Sequence, residues 1–368
     1  MKKLILHIGM HKTGSTSIQE SLGRSREFLQ KNNIWYPSMS EVNHTVNFTP
    51  IFSNDPLKDI TFKIKQITTM DQARKEQEAM KQVWIEELRK VSCETVIISA
   101  EGCSMLLEPR VREMKAFLDQ FFDDYLILIY VREPRSFYVS VIQQMFKHTD
   151  VSFDNFSFRK PDQLFTRRLP PYLNVFGRER VVVRPFNRKA FKNGDLIDDF
   201  FDSVGIDIDT SHIQRIYANE SLGYNTTVLL SELNKRYPGF INGKYNPERG
   251  LSKNVGKIIE IFSRVDNKKL QLELHFSKED AEYVNNEIEF INQFLNESDR
   301  FEKVEPSDTP NRFPTIKDLE DNYLIDLINE YNKEIEALYN ASLVGQSEIF
   351  LKKVLKWIKN IRPLRFWR

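Results

Sequence analysis

Residues 9 to 17 form the segment of the chain best suited to hold a phosphate. They read GMHKTGSTS and follow an apolar run, Leu4 to Ile8, that predicts a buried strand. Gly9 and Gly14 allow the loop backbone to turn its N–H groups inward, and the hydroxyl residues from Ser15 onward suit the first turn of a helix. A helix N-terminus adds the positive end of its dipole at the same place. The pattern therefore predicts an anion site.

The position of the lysine separates this loop from the loop of ordinary ATPases. In nucleoside triphosphatases the second glycine is followed by lysine and then by a Ser or Thr that holds magnesium. Here Ser15 follows Gly14, and Lys12 lies inside the loop. The ammonium is then aimed at a different part of the phosphate group, which favours chemistry other than ATP hydrolysis. A P-loop kinase stays open as an alternative, because Glu101 could imitate the carboxylate that holds magnesium.

A second motif follows a different predicted strand. Residues 125 to 140 read YLILIYVREPRSFYVS, a buried strand that ends in Val-Arg-x-Pro and leads into a helix. Arg132 stands at the end of the strand, and Ser140 follows eight residues later on the helix. An arginine at the end of a buried strand is costly without an anionic partner. The motif therefore indicates either a bound phosphate or an ion pair with a carboxylate such as Glu133.

Together the two motifs resemble those of sulfotransferases that use 3′-phosphoadenosine 5′-phosphosulfate (PAPS), in particular the bacterial carbohydrate-type members of the P-loop sulfotransferase superfamily. The resemblance implies that Arg132 and Ser140 bind the 3′-phosphate and that the loop binds the 5′-phosphosulfate. Lys12 would stabilise charge on the bridging oxygen, a task that magnesium performs in kinases, so no metal is expected. The expected cofactor-binding residues are His11, Lys12, Thr13, Gly14, Ser15, Thr16, Ser17, Arg132, Ser140 and Arg184.

The acceptor hydroxyl of such an enzyme needs a general base within hydrogen-bond reach. Glu101 follows the predicted strand Thr95 to Ser99 and immediately precedes the crossover to the next core strand. In the family that the motifs resemble, several carbohydrate enzymes use a glutamate as base, whereas cytosolic members use a histidine at the corresponding strand end. We expect Glu101 to be the base and keep His44 and His11 as alternatives. A carboxylate that pairs with a basic residue of the empty site is the structural alternative.

Residues 180 to 206 fit the same resemblance more loosely. They resemble the strand, short acidic loop and helix that follow the 3′-phosphate site in the bacterial enzymes. Arg184 stands at the end of that strand, where a cation would lie near the edge of the nucleotide. Residues 219 to 222, Asn-Glu-Ser-Leu, resemble a recurring element of those proteins, and the resemblance weakens beyond about residue 230.

Composition limits the function classes that fit. The chain has 368 residues, 40% of them hydrophobic, and a formal net charge of +1, so no global field attracts nucleic acid and anion sites must be local. The apolar start is broken by His7 and no small-residue cleavage site follows, so we interpret it as a strand and not as a secretion signal. No stretch approaches the roughly 20 apolar residues that span a bilayer, which favours a cytoplasmic bacterial enzyme.

Cys93 and Cys103 are the two cysteines of the chain. They flank one predicted strand from opposite ends, too far apart for a disulfide, and two thiols alone make no metal set. We expect both to be reduced packing residues.

Alternating strand and helix patterns predict an α/β fold, a doubly wound parallel sheet flanked by helices, with ligands at the carboxyl ends of its strands. The predicted strands are 4–8, 95–99, 126–131 and 181–183, and the predicted crossover helices are 15–29, 111–122, 136–146 and 196–204.

Three regions organise the chain in this prediction. Residues 1–240 form the core, with an insertion at about 35–91 that contains a charged helix, Met70 to Arg89, and lies where an acceptor would bind. Residues 241–345 form a helical annex, in which Ser277 is expected to cap a helix.

Residues 346–368 form the third region, a basic amphipathic helix. From residue 348 it reads EIFLKKVLKWIKNIRPLRFWR, with apolar residues at helical spacing on one face and lysines on the other. This pattern is typical of a segment that lies on an anionic membrane surface, and equally of a C-terminal helix packed on the core. Membrane contact through 348–368 would suit an enzyme that acts on lipid-linked glycans at the cytoplasmic face.

The sequence thus predicts a sulfotransferase that moves a sulfuryl group from PAPS to a hydroxyl of a glycan, glycolipid or related metabolite. Two alternatives remain. One is the P-loop kinase, acting on a small molecule or sugar, and the other is a non-catalytic nucleotide-binding component of polysaccharide assembly.

Overall fold

The computed structural model describes residues 2–39, 41–148, 151–154, 164–217, 222–238, 240–241, 244–246, 252–340 and 346–361. The chain divides into two compact units, each built from several segments. The first unit comprises Met1–Pro134, Lys160–Asn219 and Ser277–Pro306. The second comprises Arg135–Arg159, Glu220–Phe276 and Ser307–Arg368. The region boundaries predicted from the sequence, at residues 240 and 345, stay predictions.

The first unit contains a parallel sheet of five strands in the order β2-β3-β1-β4-β5. The strands are β1 Lys3–His7, β2 Ile34–Trp35, β3 Thr95–Ser99, β4 Asp124–Val131 and β5 Val181–Pro185. Leu6 of β1 lies opposite Ile98 of β3 and Ile127 of β4, so β1 is the central strand and has a parallel neighbour on each side.

Helices cover both faces of this sheet. In chain order the helices are α1 Ser15–Arg24, α2 Arg26–Lys31, α3 Thr45–Phe48, α4 Ile60–Ile64, α5 Met70–Arg89, α6 Glu108–Leu118, α7 Pro134–His148, α8 Phe165–Arg168, α9 Pro170–Phe176, α10 Leu196–Ser203, α11 Tyr224–Arg236, α12 Ser252–Arg264, α13 Lys278–Asn292, α14 Asp321–Asn340 and α15 Gln346–Lys359. Consecutive residues of β1, Leu4 to Leu6, are 0% exposed, as expected where a parallel sheet is covered on both sides. The predicted α/β fold class is confirmed.

Two local predictions at the start of the sheet differ from the structure. The helix predicted over 15–29 is two helices, because the chain bends at Ser25, whose side chain accepts a hydrogen bond from the backbone N–H of Gln214 at 2.9 Å. The edge strand β2 was not predicted, since two residues are too short to show an alternating pattern.

The second unit is mainly helical, with a small antiparallel pair of strands, β6 Phe240–Ile241 and β7 Lys244–Tyr245. Helix α15 packs on α12 and α14. Its apolar residues Leu351, Val354, Leu355 and Ile358 are at most 7% exposed. The apolar face that a bilayer would need is therefore buried in the protein, which favours the packed helix of the two alternatives, and membrane contact stays a prediction. Residues 362 to 368, including Phe366 and Trp367, lie outside the described part of the chain.

No helix in the described ranges is both long and apolar enough to cross a membrane.

Both cysteines are free and buried, as predicted, and burial raises the pKa of the Cys103 thiol to about 12. Ser277 caps α13 by accepting a hydrogen bond from the Asp280 N–H at 3.2 Å, which confirms the predicted helix start.

Candidate functional site

Three neighbouring strands place the two sequence motifs and the predicted base at one edge of the sheet. The loop of residues 9–14 follows β1, Glu101 follows β3 and Arg132 follows β4. The spatial order β3-β1-β4 makes these three strand ends adjacent. Carboxyl ends of parallel strands are where open α/β sheets bind their ligands. The candidate site therefore lies at this edge, within the first unit.

The loop backbone is held in a conformation that L-residues rarely adopt. Gly9, Lys12 and Gly14 have φ angles of +40°, +69° and +77°. The Thr13 hydroxyl donates a hydrogen bond to the Met10 carbonyl at 2.6 Å and closes the loop from inside. A left-handed lysine costs roughly 1–2 kcal/mol, so the loop keeps Lys12 in place against a local preference.

Gly14 is required for a second reason, which is close packing. A Cβ at Gly14 would lie 2.6 Å from Leu196 Cδ2 and 2.7 Å from Phe186 Cε2. The Phe186 ring is itself fixed by the hydrogen bond from its backbone N–H to the Val131 carbonyl, at 2.6 Å. The end of the loop thus rests directly on apolar side chains that follow β5.

Inside the loop, three polar side chains converge on Gly9. A Cβ at Gly9 would lie 2.7 Å from Ser15 Oγ, 3.3 Å from Glu101 Cβ and 3.4 Å from His7 Nε2. Ser15 Oγ and His7 Nε2 are buried and form no hydrogen bond of good geometry among the residues that the structure describes, although Ser15 lies near enough to Glu101 to help lower the pKa of that carboxyl. Burial of an unbonded polar atom is unfavourable, so the arrangement fits a bound oxyanion that would accept from Ser15.

His7 is a site residue that the sequence analysis did not assign. It is 0% exposed, and its Nδ1 lies 2.8 Å from Ser99 Oγ. Burial lowers the pKa of His7 to about 4, although Glu101 acts in the opposite direction. At neutral pH it is an uncharged side chain below the loop. The one available signal was a histidine that interrupts an otherwise apolar strand.

Arg132 binds the loop directly. Its Nη1 donates to the Lys12 carbonyl at 3.1 Å, and its guanidinium carbon lies 5.8 Å from the centre of the Phe186 ring. Burial lowers the pKa of Arg132, with Glu133 opposing the shift, but an arginine remains charged at neutral pH. The structure therefore joins the two motifs that are far apart in the sequence.

Glu101 opens a short 3-10 helix, Glu101–Met105, and faces His11 across the loop. Glu101 Oε1 lies 3.8 Å from His11 Nδ1, and the two side chains are 22% and 48% exposed. Burial raises the pKa of Glu101, but His11, Ser15 and His7 together more than offset this, so that the pKa lies below the ordinary glutamate value. Glu101 is consequently a carboxylate at neutral pH.

The turn of Glu101 is held by the segment 43–49 from the insertion. The Gly102 N–H donates to Thr45 Oγ1 at 3.1 Å, and a Cβ at Gly102 would lie 2.6 Å from Thr45 Cγ2. Gln19 of α1 binds the same segment through Asn43 Oδ1, at 3.1 Å. The insertion therefore fixes the position of the predicted base relative to the loop helix.

His44 lies in this segment, but its ring is fully engaged by backbone groups. The Ser99 N–H donates to Nδ1 at 3.2 Å, so Nε2 carries the proton and donates to the Pro37 carbonyl, also at 3.2 Å. The side chain is 0% exposed, and burial lowers the pKa of His44 to about 3. This geometry leaves no ring nitrogen to accept a proton from an acceptor, and it favours a structural role over the predicted catalytic one.

Arg184 stands at the end of β5, where it forms an ion pair with the fully buried Asp199. It also donates to the Ala190 carbonyl at 2.9 Å, and the Tyr130 hydroxyl donates to the same aspartate at 2.8 Å. Burial lowers the pKa of Arg184, but Asp199 raises it by more. These bonds anchor the segment after β5, and a contact of Arg184 with a nucleotide stays a prediction.

The remaining predicted residues lie on two helices. Thr16 and Ser17 are half-buried in the first turn of α1. Ser140 lies on α7 and is 7% exposed, in the part of that helix assigned to the second unit. Residues 219–221 of the Asn-Glu-Ser-Leu motif are outside the described residues. No group of three or more His, Cys, Asp or Glu side chains that could hold a metal occurs in the described ranges.

Comparisons with known proteins give limited information. No protein-family model matches the chain. An uncharacterized protein from Archaeoglobus fulgidus is 22% identical over 204 residues, which are 55% of this chain and 54% of that protein, so the match spans about half the length of the relative. The crystal structure of a sulfotransferase from Alicyclobacillus acidocaldarius is 18% identical, covering 60% of this chain and 86% of that one with a TM-score of 0.36. A similarity at this level does not establish a shared activity.

Proposed function

We propose that the protein is a PAPS-dependent sulfotransferase that acts on a hydroxyl of a glycan, glycolipid or related metabolite. One observation carries the proposal: a phosphate-type loop with a displaced lysine and a buried, unbonded Ser15 hydroxyl lies against Arg132 at the end of the neighbouring strand. Two cations, Lys12 and Arg132, and the hydrogen-bond donors of the loop suit a sulfuryl donor such as PAPS, whose ribose carries a 3′-phosphate and a 5′-phosphosulfate. They supply positive charge without a metal.

Each residue has a distinct task in this proposal. The loop backbone, Ser15 and Thr16 would hold the 5′-phosphosulfate, and Arg132 with Ser140 would hold the 3′-phosphate. Lys12 would stabilise the negative charge that grows on the bridging oxygen as the sulfuryl group leaves. Such transfers need alignment and charge stabilisation more than covalent chemistry from the protein.

Glu101 would take the proton from the acceptor hydroxyl. It is a carboxylate at neutral pH because its pKa lies below the ordinary value, and it follows β3, the strand next to β1 that leads into the loop. A weakly basic carboxylate suits a late proton transfer, in which the hydroxyl becomes acidic only as the new bond forms. His11, 3.8 Å away, would hold the carboxylate in orientation.

The proposal is tested by the transfer of ³⁵S from labelled PAPS to a panel of neutral and uronate-containing oligosaccharides and a glycolipid. Lys12→Ala should lower turnover more than nucleotide affinity, whereas Arg132→Ala should chiefly weaken the nucleotide, because only the first contact strengthens in the transition state. Glu101→Gln should retain nucleotide binding and lose transfer. Phosphoryl transfer from ATP with magnesium, together with no transfer from PAPS, would instead support the kinase.

A further inference from the structure

Arg168, at the end of α8, is a buried cation without a described partner. The residue is 8% exposed, and neither Nε nor Nη1 has a hydrogen-bond partner in the described part of the chain. Arginine is almost never buried unless it is paired. The proposed mechanism does not use Arg168, so its burial requires a separate explanation.

Glu287 of α13 acts on Arg168 electrostatically, but its oxygens accept hydrogen bonds from other groups. Glu287 is 2% exposed and accepts hydrogen bonds from the N–H groups of Phe165 and Thr166, at 2.6 and 2.9 Å, and from the Thr166 hydroxyl. Within the described residues no carboxylate forms an ion pair with Arg168 at 4.0 Å or less. Burial lowers the pKa of Arg168 and the charge of Arg167 lowers it too, whereas Glu287 and Tyr283 act in the opposite direction without offsetting these effects.

The fold places Arg168 on the side of the sheet where the candidate site lies. Helices α8 and α9 form an almost continuous run that leads into β5, and α9 packs on β4 and β5. A helix that precedes a parallel strand runs from the carboxyl edge of the sheet back to its amino edge. The beginning of this run, where Arg168 lies, is therefore at the carboxyl edge.

A hydrogen bond one helical turn away links this run to the predicted base. The hydroxyl of Tyr172, four residues after Arg168 and on the same face, donates to the Cys103 carbonyl at 2.6 Å. Cys103 belongs to the short helix that Glu101 opens. Arg168 thus lies one helical turn before the residue that binds the short helix of Glu101.

We propose that Arg168 binds an oxyanion of the acceptor, a carboxylate or an ester sulfate, and so selects acidic acceptors. This inference rests on the proposed sulfuryl transfer and identifies the acceptor class for the same site. A guanidinium presents parallel N–H groups that match the two oxygens of such an anion, and the desolvated setting strengthens the pairing. A buried guanidinium whose Nε and Nη1 lack hydrogen bonds within the described residues is costly in the free protein, and a bound acceptor anion would supply those bonds.

The test uses the full chain with its nucleotide site saturated by adenosine 3′,5′-bisphosphate, so that the loop is not available to a second anion. Sodium sulfate and sodium acetate are the probes, each against sodium chloride of equal ionic strength, and the apparent unfolding temperature is measured. Arg168→Met and Arg168→Gln are compared with Arg167→Met, which removes a neighbouring, more exposed charge. We expect sulfate or acetate to stabilise the wild type and Arg167→Met, with the apparent affinity at least about 10-fold weaker in both Arg168 variants.

The free protein gives a second, independent readout. Without added anion, Arg168→Met should unfold at a higher temperature than the wild type, because a buried charge that lacks hydrogen bonds at Nε and Nη1 has been removed. Equal stabilisation by the probes in all variants would overturn the acceptor assignment. Weaker bisphosphate binding in the Arg168 variants would also overturn it, because it would assign Arg168 to the nucleotide. Failure of the wild type to bind bisphosphate at all would instead overturn the proposed function.

Discussion

Glu101 and His11 set the protonation state at the mouth of the site. Burial raises the pKa of Glu101, and His11, with smaller contributions from Ser15 and His7, brings it below the ordinary glutamate value. A base with a depressed pKa is active above that pKa and loses activity only when the pH falls through it. We expect the acid limb of the pH profile of kcat/KM to lie below the ordinary pKa of about 4.3, as far as the folded protein can be followed.

His11→Gln tests this explanation, since it removes the imidazole beside Glu101 and leaves Glu101 buried. The acid limb should then move to higher pH, whereas His212→Gln, an exposed histidine paired with Asp209, should leave it in place. An acid limb in the wild type near pH 6.5 would show that a histidine and not Glu101 accepts the proton.

At the residue scale the sequence identified groups by chemical type and by position relative to strands. Lys12, Ser15, Glu101 and Arg132 all lie where those patterns predicted. His44 was kept as an alternative base because a histidine in a polar segment resembles an available base, and the geometry of its ring favours a structural role. The backbone groups of Pro37 and Ser99 that occupy its ring come from distant parts of the chain and leave no local signal.

At the element scale, the loop between β1 and α1 depends on a glycine at position 14. Gly14→Ala should lower the free energy of unfolding and also weaken adenosine 3′,5′-bisphosphate binding. Two effects add there: a left-handed φ of +77°, and a Cβ that would overlap Leu196 and Phe186. Urea unfolding and calorimetric titration measure the two effects.

Gly194→Ala is the matched control, because Gly194 has a φ of +70° but no atom within 4 Å of an added Cβ. It should lose about 1 kcal/mol from backbone strain alone, with unchanged nucleotide affinity. Equal losses in both variants would mean that close packing at Gly14 does not shape the loop.

The sequence predicted those helices and strands whose hydrophobic pattern extends over the whole element. The charged helix Met70–Arg89 and the strand Thr95–Ser99 have the predicted bounds, because helical periodicity and a buried aliphatic run extend over the whole element. The two-residue strand β2 and the bend at Ser25 were not predicted, since a partner strand and a distant backbone N–H determine them.

At the scale of the whole molecule, the chain forms two compact units. The second unit gathers three separate segments, and its last helix, α15, is held by packing. Val354→Asp should destabilise the protein by at least about 2 kcal/mol, because it buries a charge at a position that is 0% exposed. Ile349→Asp, at a position 58% exposed, should change the stability by less than about 0.5 kcal/mol.

Urea unfolding measures this difference, and vesicle co-sedimentation adds a check on the membrane interpretation. The full chain should not bind anionic vesicles through α15 while its apolar face is buried. Strong vesicle binding by the wild type, lost in Val354→Asp despite retained folding, would show that the helix leaves the protein to reach a membrane.

The most direct test of the central claim is calorimetric titration of the full chain with adenosine 3′,5′-bisphosphate in the presence of EDTA. Lys12, Arg132 and the loop supply the positive charge, so we expect binding without magnesium and weaker binding after Arg132→Ala. Tight binding of ATP with magnesium, together with no binding of the bisphosphate, would contradict the account.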